Sequence, residues 1–151
     1  MELISLQDTN NFALNISKII KNGDILFLSG EIGTGKTTFV RFLINHLESE
    51  NKIQKSDILS PTFNIVYNYE IKKIKLLHYD LYRLKNHKDI LELGMFENAK
   101  EQITIIEWPE LIKTKPKDRI EILFKYLENV NSRRIKILGF GKWKDYIFNE
   151  I

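Results

Sequence analysis

The run Gly30-Glu31-Ile32-Gly33-Thr34-Gly35-Lys36-Thr37-Thr38 restricts this chain more than any other stretch. Gly30, Gly35, Lys36 and Thr37 occupy the fixed positions of the pattern Gly-x-x-x-x-Gly-Lys-Ser/Thr. Before it, residues 25–28 are an unbroken apolar run of the kind a buried parallel strand shows. After it, Phe39, Val40, Leu43, Ile44 and Leu47 recur at helical spacing, so a helix opens directly from the loop. Glycines at 30, 33 and 35 permit positive φ and bring backbone close to phosphate oxygens. Successive amides and the helix N-terminus then meet the anion. Lys36 reaches the outer phosphates, and the Thr37 hydroxyl suits magnesium. The expected phosphate contacts are therefore Glu31, Ile32, Gly33, Thr34, Gly35, Lys36, Thr37 and Thr38. A bare glycine turn between strand and helix is the competing interpretation. The full pattern in its strand–loop–helix context favours a nucleoside triphosphate site.

Composition narrows the surroundings of that site. The chain has 151 residues, 43% hydrophobic and 28% charged, which suits one globular domain over residues 1–151 with a real core. Its 23 basic and 20 acidic residues leave a net charge of +3, spread along the chain, so no dedicated nucleic-acid surface is implied. The one dense basic cluster, Lys72, Lys73 and Lys75, reads as a solvated hairpin. With zero cysteines there are no disulfides, thiol nucleophiles or cysteine metal sites, which fits a reducing compartment. The first residues lack the basic start and apolar segment of a signal peptide, and no apolar run approaches a membrane span. A cytoplasmic protein without membrane association is expected.

Along the chain, residues 3–6 suit a short edge strand, and Asp8 or Thr9 is positioned to cap a helix through about Lys21. The helix after the glycine loop is expected to fade in the polar stretch 48–56, a surface connection. Residues 64–71 and 74–78 form a hairpin or adjacent antiparallel pair around Lys72-Lys73. Residues 88–100 suit a helix broken near Gly94-Met95, and residues 103–106 another apolar strand. Residues 119–127 and 134–138 alternate as two late strands joined through 129–132, and the tail 143–151 suits a last helical turn.

A phosphate loop needs a carboxylate near the magnesium, at the C-terminal end of a neighbouring strand. Asp80 ends the run 74–78 and Glu107 ends the run 103–106, and either suits the position. Thr62, in Ser60-Pro61-Thr62, stands where switch-type nucleotidases place a hydroxyl against magnesium and the γ-phosphate; a proline turn entering a strand is the plainer alternative. His78 suits a base or a structural hydrogen bond. No histidine pair has metal-ligand spacing, so zinc is not expected.

Five segments in order, Gly-Glu-Ile-Gly-Thr-Gly-Lys-Thr-Thr, Ser-Pro-Thr-Phe-Asn-Ile-Val, His-Tyr-Asp-Leu-Tyr-Arg-Leu, Glu-Leu-Gly and Ile-Ile-Glu-Trp-Pro-Glu, make residues 24–110 resemble the bacterial TsaE (YjeE) family. That family is the small ATPase of tRNA threonylcarbamoyladenosine synthesis. The loop is common to many nucleotidases, but the combination of the other segments is not. The resemblance implies ATP and magnesium as cofactors, with Lys36 and Thr37 on phosphate and metal. Glu107 is the implied magnesium-side carboxylate, and Asp80 is needed for hydrolysis. It also implies Thr62 in a nucleotide-sensing segment, Trp108 beside the nucleotide, and a late basic contact at Arg133 or Arg134. Implied partners are proteins like TsaD and TsaB, with tRNA met only through that complex. One departure is Leu111-Ile112-Lys113, where family members often carry a glycine.

The expected fold is α/β: a P-loop nucleotide-binding domain whose mostly parallel sheet carries antiparallel additions at 64–78 and 119–138. The expected function is a magnesium-dependent ATPase that resets a tRNA-modifying transferase. A small-molecule kinase and a nucleotide-gated binding module with negligible turnover are the alternatives.

Overall fold

The computed structural model describes residues 1–127 and 132–148. Its elements are β1 (Glu2–Leu3), α1 (Leu6–Ser17), β2 (Ile25–Ser29), α2 (Lys36–Glu50), β3 (Val66–Ile71), β4 (Ile74–Asp80), α3 (His87–Glu92), β5 (Ile103–Glu107), β6 (Arg119–Tyr126) and β7 (Arg133–Phe140). The seven strands form one sheet in the order β1-β7-β6-β2-β5-β4-β3. The middle four, β6, β2, β5 and β4, run parallel. Strands β3, β7 and β1 pair antiparallel with their neighbours at the flanks. Each of the two expected hairpins thus lends one strand to the parallel group and keeps one outside it.

Burial explains the unbroken apolar runs. On one face α1 and α2 pack through Phe12 and Phe39, stacked at 5.0 Å between ring centres, over Leu26, Leu28, Ile105, Ile120, Ile122 and Phe124. On the other, Ile90, Met95 and Ile112 cover Ile25, Phe27, Tyr79 and Ile106. Strands covered on both faces favour apolar side chains, so residues 25–28 of β2 are all hydrophobic, and residues 103–106 of β5 are interrupted only by the fully buried Thr104.

Several boundaries move from their expected places, each for a local reason. Helix α1 starts at Leu6 because Ser5 caps it: the Ser5 hydroxyl accepts from the Asp8 amide at 3.1 Å, and the Asp8 carboxylate accepts from the Ile4 amide at 3.0 Å. Asp8 is thus the return partner of the cap, and the helix ends at Ser17. Residues 3–6 leave only the tail of β1. Helix α2 runs to Glu50, and the stretch after it is anchored, because buried Glu48 accepts from the Ser56 amide at 2.9 Å and hydroxyl at 2.5 Å. The expected helix over 88–100 is α3 followed by turns and a 3-10 turn Ala99–Glu101, with Gly94 at φ 57°. The tail carries a 3-10 turn Gly141–Trp143, with Trp143 against Tyr146 and Phe148. Residues 149–151, and most of the connection expected at 129–132, lie outside the described residues.

Candidate active site

Strand order decides where the chemistry gathers. β2 delivers the glycine loop; β5 lies beside it, and β4 beside β5. Leu28 and Asp80 are both register partners of Glu107, so the C-terminal ends of the three strands are level. A crevice of about 320 Å³ opens at that edge, the position where parallel α/β sheets take ligands. Ile32, Gly33, Gly35, Lys36, Thr37 and Thr38 line one side; Ser60, Thr62, Asp80, Tyr82, Glu107 and Trp108 line the other.

The loop side is set by backbone geometry. Gly30, Gly33 and Gly35 all have positive φ, at 140°, 77° and 99°. A Cβ on Gly35 would meet nothing within 4 Å, so the space above the N-terminus of α2 is open. Lys36 folds back onto its own loop: its ammonium donates to the carbonyl of Gly30 at 2.6 Å and of Glu31 at 2.9 Å, and lies 3.9 Å from the centre of the Trp108 ring. Burial lowers its pKa from the ordinary lysine value and outweighs the attraction of Glu107, Glu110 and Asp80.

The acidic side divides into two units. Glu107 is buried and accepts from the Thr37 hydroxyl at 2.9 and 3.0 Å, so the loop threonine and a strand-end carboxylate are already in contact. Asp80 instead gathers the Ser60–Thr62 turn: its Oδ2 accepts from Thr62 at 2.6 Å and from Ser60 at 3.3 Å, while Oδ1 accepts from the Tyr82 amide at 3.0 Å. Tyr82 in turn packs on Trp108, 4.9 Å between ring centres. The backbone is held in unusual shapes on both sides of this turn: Ile65 has φ 67° and Trp108 φ 59°, conformations that branched and bulky residues seldom adopt.

A second crevice of about 360 Å³ shares Gly33, Gly35 and Thr38 with the first and continues past Thr34 to Ile4, Leu6, Thr9 and Arg133. Arg133 donates to the carbonyls of Thr34 at 3.1 Å and Gly33 at 3.3 Å and stacks on Tyr126. The Tyr126 hydroxyl donates to the Ile32 carbonyl at 2.9 Å. Three successive loop carbonyls, of Ile32, Gly33 and Thr34, are thus tied to side chains of β6 and β7.

A sequence model described as "Threonylcarbamoyl adenosine biosynthesis protein TsaE" matches residues 3–135. The chain belongs to the TsaE family. Its relatives include the "tRNA threonylcarbamoyladenosine biosynthesis protein TsaE" of Rickettsia prowazekii, 40% identical over 130 residues, covering 84% of this chain and 86% of that one. The protein of the same name from Aquifex aeolicus is 37% identical, covering 89% and 92%, and that of Bacillus subtilis is 31% identical, covering 98% and 90%. Among solved structures, the crystal structure of Bacillus subtilis YdiB superposes with a TM-score of 0.78 at 25% identity, covering 99% of this chain and 90% of that one.

Four of the five segments that carried the resemblance to TsaE proteins meet at this edge, whereas Glu92-Leu93-Gly94 lies apart, with Gly94 in a groove beside His87, Met95 and Ile112. Glu31, which lines neither crevice, lends only its carbonyl to Lys36 and Thr34. Sequence patterns passed over Tyr126, since a tyrosine at a strand end carries no motif, and left His78 undecided between two roles. The structure puts His78 against Glu107, Nε2 to Oε1 at 2.8 Å. Among the described residues no cluster of three or more His, Cys, Asp or Glu could hold a metal unaided, and no helix is long and apolar enough to cross a membrane.

Proposed function

We propose that the chain is a magnesium-dependent ATPase serving tRNA threonylcarbamoyladenosine synthesis. The Thr37–Glu107 contact carries this assignment: it joins the hydroxyl of the loop helix to a carboxylate of the adjacent strand, beside open space over Gly35. A phosphate chain fits that space, with amides of the loop and the N-terminus of α2 aimed at it and Lys36 free to leave the loop carbonyls for phosphate oxygens. The donor set also fits magnesium, which is bound through one or two carboxylates or hydroxyls plus substrate phosphates. Thr37 and Glu107 would hold it, and its charge would offset that of the bound phosphates. Trp108, beside Lys36, would border the nucleotide, and the second crevice, with Thr9, Thr38 and Arg133, has room for the nucleoside.

Asp80 takes the second role. It faces the same crevice and holds Ser60 and Thr62, so it suits orienting or deprotonating the attacking water while the turn senses the γ-phosphate. Partners similar to TsaD and TsaB would be reset by hydrolysis, and tRNA would be met only through them. Among the described residues no arginine lines the first crevice, which disfavours a small-molecule kinase with an arginine lid and leaves low unassisted turnover as the expected state.

The test compares two substitutions. Glu107→Gln weakens magnesium-dependent ATP binding and hydrolysis together. Asp80→Asn leaves binding nearly intact and cuts turnover on the order of a hundredfold, the scale of general-base loss. ATP titrations with and without magnesium, followed by phosphate release, decide between them; a binding defect confined to Asp80→Asn reverses the two roles.

A further inference from the structure

His78 lies on β4, two residues before Asp80, so both side chains leave the strand on one face. Its register partner on β5 is Ile105, and from there the ring reaches diagonally to Glu107. The side chain is fully buried and makes one hydrogen bond, Nε2 to Glu107 Oε1 at 2.8 Å; Nδ1 is buried with no partner among the described residues. A carboxylate only accepts, so Nε2 carries the hydrogen in this contact.

A buried polar ring with one nitrogen orphaned is a costly way to fill a core, and an aliphatic residue would fill the same place without that cost. What the ring supplies is a fixed donor. Glu107 has two partners, Thr37 and His78, and they differ in kind. Thr37 sits on the crevice and its hydroxyl is the group that turns to a metal. His78 is fully buried, does not line the crevice and bonds Oε1, whereas Thr37 contacts both Oε1 and Oε2.

We propose that His78 is a positioning residue: its Nε2–H holds the Glu107 carboxylate in the orientation that binds magnesium, after Thr37 has been drawn away. It rests on the assignment of Glu107 as a magnesium ligand. Outer-shell hydrogen bonds of this type typically tune metal affinity by roughly 10–100-fold.

Calorimetric titration of ATP into the full chain, in EDTA and at stepped free magnesium, tests this without reference to turnover. His78→Leu removes the donor, whereas His78→Gln returns an N–H at about the reach of Nε2. In EDTA all three proteins bind ATP alike. With magnesium, His78→Leu needs on the order of 10–100-fold more free metal for the same gain in ATP affinity, and His78→Gln stays near the wild type. Should His78→Leu not fold, His78→Asn, whose shorter arm falls short of Oε1, shows the same displaced magnesium midpoint. A lowered melting temperature with an unchanged magnesium midpoint makes His78 a core residue only and overturns the proposal. So does a His78→Gln midpoint displaced as far as that of His78→Leu. If wild-type ATP affinity does not respond to magnesium, the assignment of Glu107 fails and His78 goes with it, an outcome distinct from the other two.

Discussion

Lys36 shows how a single residue is placed at some cost to the ligand-free fold. Burial disfavours its ammonium, and two loop carbonyls and an aromatic face are its near neighbours. Its folded pKa lies below the unfolded value, so folding weakens proton binding. Below the folded pKa the charge therefore opposes folding, and that opposition fades as pH rises through the folded pKa toward the unfolded one. Lys36→Met, similar in length and uncharged, should melt at the same temperature as the wild type or higher at neutral pH, with the difference shrinking in alkali. ATP affinity should drop on the order of a hundredfold, the loss of a charge-assisted bond to phosphate. Melting curves across pH, paired with ATP titration, check both halves; a clearly destabilised variant at neutral pH contradicts the sign worked out above.

At the scale of the element, the phosphate loop uses its glycines for two different ends. A Cβ at Gly30 would stand 2.3 Å from the Phe124 carbonyl on β6, so this glycine lets β2 and β6 sit side by side where the loop departs. Gly35 faces empty space, and only its φ of 99° and the approach of a ligand require it to be bare. Gly30→Ala should therefore cost about 2–5 kcal/mol, overpacking against backbone plus a left-handed conformation. Gly35→Ala should cost about 1–2 kcal/mol, for conformation alone, yet damage ATP binding more than that stability loss accounts for. Urea unfolding gives the order of stability, and the opposite order would mean that the loop, and not the sheet, is the part under constraint.

For the whole molecule, the distribution of charge bears on what it does alone. The net charge of +3 is dispersed, and among the described residues no arginine lines the first crevice to stabilise a transition state. Purified by itself, the protein should turn over ATP slowly, below about 10⁻² s⁻¹, the scale of P-loop nucleotidases without an arginine supplied in trans. It should also fail to bind tRNA tightly. Phosphate release with and without partner proteins checks the first expectation. Filter binding of tRNA at stepped salt checks the second, and strong binding with a steep salt dependence would assign the nucleic acid to this chain directly.

The residues themselves determined the strand–loop–helix of 25–47, the two hairpins and the short motifs that supply the site. Each is encoded locally: periodicity reports burial, and glycine spacing reports a turn that only glycine tolerates. Helix ends were less legible, since the reciprocal Ser5–Asp8 cap and the burial of Glu48 depend on partners that a periodic pattern does not name. Which carboxylate meets Thr37 was decided only by tertiary structure. Asp80 and Glu107 both end strands, and it is the order β2-β5-β4 that puts Glu107 next to the loop and Asp80 one strand further, against Thr62. The contacts of His78 with Glu107, and of Tyr126 and Arg133 with the loop carbonyls, join residues 29 to 100 positions apart. No short pattern spans such separations, because strand order is settled by how two buried faces and two hairpins close around the whole sheet.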